Sequence, residues 1–143
     1  MNRPNILILF AEQHRGDCLS CAGNSKLMTP NIDSIGMATA RFTNAYSTCP
    51  VCVPARRSLI SGQFPNTHGV RANIDEEWDI ENTLGRILRD SGYQTAWIGR
   101  SMHQTPVSKR FGFEEMVYHD HRANKDDYDK FIRERDAALG ENR

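Results

Sequence analysis

The chain has 143 residues, about one domain on a prior of roughly 100–200 residues each, and enough to bury a core. Lys plus Arg and Asp plus Glu both number 18, so the formal net charge is zero and the basic excess of a nucleic-acid binder is missing. No apolar run approaches the roughly 20 residues of a membrane-spanning helix. Residues 5–11 lack the flanks and cleavage site of a signal peptide, so a chain that is soluble and cytoplasmic as it stands is expected, with no nucleic acid and no membrane as partner.

Ile6-Leu7-Ile8-Leu9-Phe10 is a short, continuous apolar run of strand formers, the pattern of a strand buried on both faces in a sheet under helices. It ends at Glu12-Gln13-His14-Arg15, and ligands of open α/β sheets gather just past the C-terminal ends of strands. Arg15 and Asp17 are expected to form a local ion pair or cap. Thr29-Pro30-Asn31 punctuates the chain, and Ile32, Ile35 and Met37 give a weak helical stripe. Residues 41–46 suit a short strand. Pro54 opens a helix through Ile60 that Gly62 closes. Residues 64–79 read as loop, with Pro65, Asn66 and Gly69 as turn formers.

Asn82-Thr83-Leu84 starts the next helix, with Leu84, Ile87 and Leu88 on one face and a stop at Ser91-Gly92. Residues 93–98 read as a second buried strand, followed by polar residues at 100–104. Residues 126–139 form a polar helix with the apolar stripe Tyr128, Phe131, Ile132 and Leu139. Alternating strands and helices make the fold α/β.

The four cysteines fall in two pairs, Cys18-Leu19-Ser20-Cys21 and Cys49-Pro50-Val51-Cys52. Two such pairs can build a tetrahedral thiolate zinc site, so a small zinc module is one alternative. Against it, the spacer exceeds the roughly 15–20 residues usual for that pattern. A redox pair is a further possibility, and so is burial of Cys18, Cys21 and Cys49 as small hydrophobes.

Pro54 in the first turn puts Cys52 at or just before a helix N-terminus, where unpaired amides and the positive dipole end favour an anion. Arg56 follows by four positions, on the same face of such a helix. A nucleophile, a dipole end and a forked cation would then converge on one tetrahedral anion. The same residues also suit an ordinary helix entry with a buried cysteine and surface arginines.

Cys52-Val53-Pro54-Ala55-Arg56-Arg57-Ser58-Leu59-Ile60-Ser61-Gly62 resembles the sulfatase signature, Cys/Ser-x-Pro-x-Arg with a Leu-x-Thr/Ser-Gly ending. Arg3-Pro4-Asn5-Ile6-Leu7, Thr29-Pro30-Asn31-Ile32-Asp33, Arg41-Phe42-Thr43-Asn44-Ala45-Tyr46, Gly62 to Val70 and Gly92 to Gly99 are similar to the same family's landmarks, in order. The resemblance implies the N-terminal part of an alkaline-phosphatase-like mixed sheet flanked by helices. It also implies a sulfuric ester hydrolase whose signature cysteine is oxidised to formylglycine by a formylglycine-generating enzyme, with a small-molecule or carbohydrate sulfate ester as substrate. Cys52 would then be the nucleophile precursor, and Arg56 would hold it and the transferred group. The family's Gly-Lys-x-His corresponds to Gly99-Arg100-Ser101-Met102-His103, which puts Arg100 at the sulfate and His103, one position late, at the leaving oxygen. A divalent cation, usually calcium, would take ligands from Glu12, Gln13 and the converted Cys52, where the family has an Asp-Asp or Asp-Gln pair. Asn73 lies near enough downstream of the signature to reach the site.

Family members are several times longer, and nothing after Gly112 offers their second metal-ligand segment. Residues 1–143 are therefore expected to be a partial catalytic domain with an incomplete metal site. A phosphonate or phosphodiester hydrolase of the same superfamily, the zinc module and a non-catalytic remnant remain as alternatives.

Overall fold

The computed structural model describes residues 3–74, 76–100, 102–119 and 127–140. The chain divides into two compact units, Met1–Ala45 and Tyr46–Arg143.

The first unit carries two short 3-10 turns, Gly16–Cys18 and Ser20–Ala22, and helix α1, Pro30–Ala38. Pro30 stands at the first helical position, where its missing N–H costs nothing. Asp33, one turn into α1, accepts hydrogen bonds from the Ser20 hydroxyl, from Thr29 Oγ1 at 2.8 Å and from the Cys21 amide at 3.1 Å. The Thr-Pro-Asn-Ile-Asp landmark is thus a polar clasp between α1 and the turn before it. These donors hold the Asp33 carboxyl at about 2, led by the Ser20 hydroxyl. None of the described residues of this unit is buried.

Three expectations fail here. Residues 6–10 form no strand, and their side chains are 56 to 81 % exposed. Residues 41–46 are likewise not a strand. The α1 stripe of Ile32, Ile35 and Met37 is exposed. A strand exists only through a ladder with a neighbour, and apolarity alone does not supply one. The local ion pair does form, with Arg15 Nε 2.9 Å from Asp17 Oδ1.

The second unit holds helices α2 (Cys52–Ser61), α3 (Pro65–His68) and α4 (Leu84–Asp90), strands β1 (Ala96–Arg100) and β2 (Glu115–His119), and helix α5 (Asp127–Gly140). Residues 64–79, expected as loop, contain α3. Strand β1 starts three residues later than expected and is mostly exposed rather than buried. Strand β2, absent from the sequence-based expectation, pairs with it in parallel, Ala96 opposite Glu115 and Arg100 opposite His119. Among the described residues this parallel pair is the whole sheet.

Ile60, Met102, Phe111, Phe113 and Met116 form the core, with Leu59, Trp78, Trp97 and Tyr118 packed against it. Helix α4 seats on this core because Gly85 has no side chain: a Cβ there would stand 2.8 Å from the Phe111 carbonyl. Thr83 locks the contact. Its hydroxyl accepts the Arg86 amide, capping α4, and donates to the Phe111 carbonyl at 2.5 Å. Of the expected α4 face, Ile87 is exposed and Leu84 and Leu88 are half-buried. Among the described helices, none is long and apolar enough to cross a membrane.

Candidate functional site

Cys52 is the first residue of α2, with Val51 as an extended N-cap that offers no side-chain bond. The cap comes from elsewhere: Asn73 Oδ1 accepts the Val53 amide at 2.9 Å across 20 residues. Pro54 has no amide, and the Ala55 amide bonds the Val51 carbonyl at 3.0 Å. A row of free amides facing an anion is therefore not what this end offers. Its positive potential comes from the aligned peptide dipoles and from Arg56.

Arg56 is one turn on, with Cβ positions about 6 Å apart for such a pair. It is 5 % exposed, and its Nη1 lies 3.8 Å from Met102 Sδ. Cys52 is half-buried, so the thiol sits at the rim of a unit whose interior holds the guanidinium. Behind them, Ser58 Oγ meets His68 Nε2 at 3.1 Å, while His68 Nδ1 accepts the Val70 amide. An Nδ1 that accepts puts the proton on Nε2, so Ser58 is the acceptor and the ring is neutral. Burial lowers the His68 pKa, in keeping with that neutral form.

Arg100 ends β1, and its Nη2 lies 3.4 Å from His103 Nε2. A guanidinium only donates, so the imidazole nitrogen accepts in this contact. His103 has φ +52, a left-handed backbone rare for a residue with a side chain. Its neighbour Met102 is fully buried, with its amide on Gln104 Oε1 at 2.9 Å. The Met102 and His103 carbonyls accept from Arg57 Nη1 at 3.2 Å and Nη2 at 2.8 Å. Cys52, Arg56, Arg100 and His103 thus belong to one unit, and Met102 links the helix to the loop.

Glu12 and Gln13 belong to the other unit, in an exposed bend where Gln13 has φ +55. A carboxylate and an amide oxygen are donors that calcium accepts, so their chemistry fits part of a calcium shell. Among the described residues no group of three or more His, Cys, Asp or Glu side chains is arranged to hold a metal. Cys18, Cys21 and Cys49 are half-buried free thiols rather than core residues. Cys21 faces Asp33, whose carboxylate raises the thiol's pKa through a hydrogen bond.

A family model described as Sulfatase matches residues 4–142. The chain belongs to the sulfatase family. It is 36 % identical over 120 residues to an arylsulfatase of Clostridium perfringens, covering 82 % of this chain and 24 % of the relative. Among solved structures it superposes on a protein in complex with its substrate, a disulfated D-glucosamine. There the TM-score is 0.71 at 30 % identity, over 80 % of this chain and 23 % of the other. It also superposes on a phosphonate monoester hydrolase of Agrobacterium radiobacter, with TM-score 0.77 and 26 % identity over 93 % of this chain and 29 % of the other. The chain spans about a quarter of the length of these sulfatase relatives. The α/β class and the family expected from the signature both hold.

Arg57 and His68 carried no functional expectation. Their partners lie 45, 46 and 10 residues away in sequence, so no local pattern announces them.

Proposed function

We propose that this chain carries the nucleophile of a sulfuric ester hydrolase, with Cys52 converted to formylglycine by a formylglycine-generating enzyme. The observation behind it is the seat of Cys52 at the first position of α2, with Arg56 buried one turn on. In this reading the aldehyde is hydrated, and one hydroxyl attacks the sulfur of a sulfate ester while the alcohol leaves. The second hydroxyl then collapses to the aldehyde and expels sulfate, which regenerates the nucleophile. Arg56 holds the nucleophile and the transferred oxygens, Arg100 meets the sulfate, and His103 attends the leaving oxygen. A divalent cation, calcium by the donor chemistry, would offset negative charge on the sulfate when bound. Glu12 and Gln13 offer the carboxylate and amide oxygens that such a cation takes. A sulfated carbohydrate is the substrate class favoured by the likeness to the protein bound to disulfated glucosamine.

A second reading, a phosphonate monoester hydrolase, is supported by the superposition that covers 93 % of the chain. The nucleophile chemistry is common to both. Competition between an aryl sulfate and an aryl phosphonate monoester separates them: the first reading expects the sulfate to be preferred, and the opposite preference replaces it with the second.

The nucleophile itself is tested by aldehyde capture. The chain co-expressed with a formylglycine-generating enzyme should label with a hydrazide at residue 52, and Cys52→Ala should not. Labelling that persists in Cys52→Ala overturns the proposal.

A further inference from the structure

Arg57 follows the signature arginine by one position, which turns its side chain about 100° around the helix from that of Arg56. It is 1 % exposed. Its guanidinium carbon lies 5.0 Å from the centre of the Trp78 ring and 5.2 Å from that of Phe111. Trp78 is itself held, because Lys109 Nζ bonds its carbonyl at 2.6 Å and its indole N–H bonds the His68 carbonyl at 3.3 Å. The plane of the fork is therefore set before it reaches the loop after β1.

We propose that Arg57 is a positioning residue, whose two fork nitrogens grip the consecutive carbonyls of Met102 and His103 and so aim the His103 imidazole. The proposal rests on the role given to His103 above.

Two carbonyls in series fix the orientation of two successive peptide planes, and one rigid guanidinium takes both. Between those planes lies the φ of His103, +52, a conformation that a non-glycine residue keeps only when its surroundings over-determine it. Other restraints come from the same small segment. The Met102 side chain is fully buried, its amide is taken by Gln104 Oε1, and Gln104 Nε2 donates to the Val107 carbonyl at 3.1 Å. Arg57 restrains this segment from the nucleophile's own helix, alongside Arg56 Nη1 on Met102 Sδ. Cys52 and His103 are thereby referred to one rigid element, which is what holding a nucleophile and a leaving-group partner in register requires. A lysine would keep the charge but not the fork.

The test is hydrogen exchange and histidine-ring NMR on the chain with Arg57→Met and Arg57→Lys. Arg57→Met should raise exchange at the Met102 amide by about tenfold or more, as expected for a local opening. It should also move the His103 ring resonances toward those of free histidine. The Ile87 and Ser91 amides, which bond the carbonyls of Thr83 and Ile87 at the two ends of α4, should keep their rates. Arg57→Lys should show the same pattern, weaker, and it carries the test if the Met variant does not fold. Equal loss of protection at Met102 and Ile87 would reduce Arg57 to a general core residue and overturn the proposal, as would unchanged His103 resonances. Neither readout depends on turnover or on conversion of Cys52, so failure here is distinct from failure of the functional reading.

Discussion

The two units reach order by opposite routes. Met1–Ala45 is held by a hydroxyl–carboxylate clasp around Asp33, with no buried residue among those described. Tyr46–Arg143 is built on a packed core into which a charged residue, Arg57, is drawn between two aromatic rings. Both contain equally conspicuous family landmarks. The Thr-Pro-Asn-Ile-Asp landmark is explained by local hydrogen bonding, whereas the signature is explained by contacts to residues as distant as 103. A motif's visibility in sequence therefore does not reveal whether it acts through its own turn or through the tertiary structure.

The strongest break in this comparison is Gly112→Ala. Gly112 has φ +83, and a Cβ there would stand 2.5 Å from the Arg86 amide nitrogen. Overpacking and a left-handed side-chain residue together should lower the stability of the second unit by about 2–5 kcal/mol. Both tryptophans, Trp78 and Trp97, lie in this unit, so denaturant unfolding followed by tryptophan fluorescence reads it.

A smaller effect is expected from Asn73→Ala, which removes the remote cap on the Val53 amide at the head of α2. About 1 kcal/mol should be lost, and exchange should rise at Val53 before it rises at α4. Loss confined to the 69–74 loop would mean that the helix end is held by something other than this cap.

The mildest contrast is in acid. Burial depresses the His68 pKa below 6.5, so the folded state binds fewer protons than the unfolded one. Stability of the second unit should then be full above about pH 6.5 and fall as the pH drops below it, with the slope removed in His68→Gln. Asp33 is depressed from 3.8 to about 2. Its contribution to the first unit should be full above about pH 4 and be lost as the pH falls toward 2. Fluorescence for the second unit, and the Thr29 and Cys21 amide resonances for the first, should therefore change in separate pH windows. Coincident windows would contradict the assignment of these two groups.

Helices were legible where caps and turn residues wrote their ends. Pro30, Thr83 and Gly62 each stand where a helix begins or stops. Strands were less so. The run at residues 6–10 has every local mark of a strand and forms none, whereas β2 carries only the alternation of buried Met116 and exposed Val117. Pairing is decided by a partner, and a partner is not a local property. The site divides in the same way. Cys52 at a helix head follows from Pro54 two residues on, while the grip of Arg57 on the His103 loop and the cap from Asn73 needed the fold. His103 itself has a left-handed backbone, and its ring meets the Arg100 guanidinium, neither of which the sequence announces.

The proposed nucleophile is one thiol among four. Cys18, Cys21, Cys49 and Cys52 are all free and all half-buried, and only Cys52 heads a helix with a buried arginine one turn behind it. Peptide mass spectrometry of the chain co-expressed with a formylglycine-generating enzyme compares them in one sample. Replacement of the thiol by an aldehyde is expected at Cys52, with intact thiols at the other three. An unchanged Cys52, or conversion at Cys49 in its place, would contradict it.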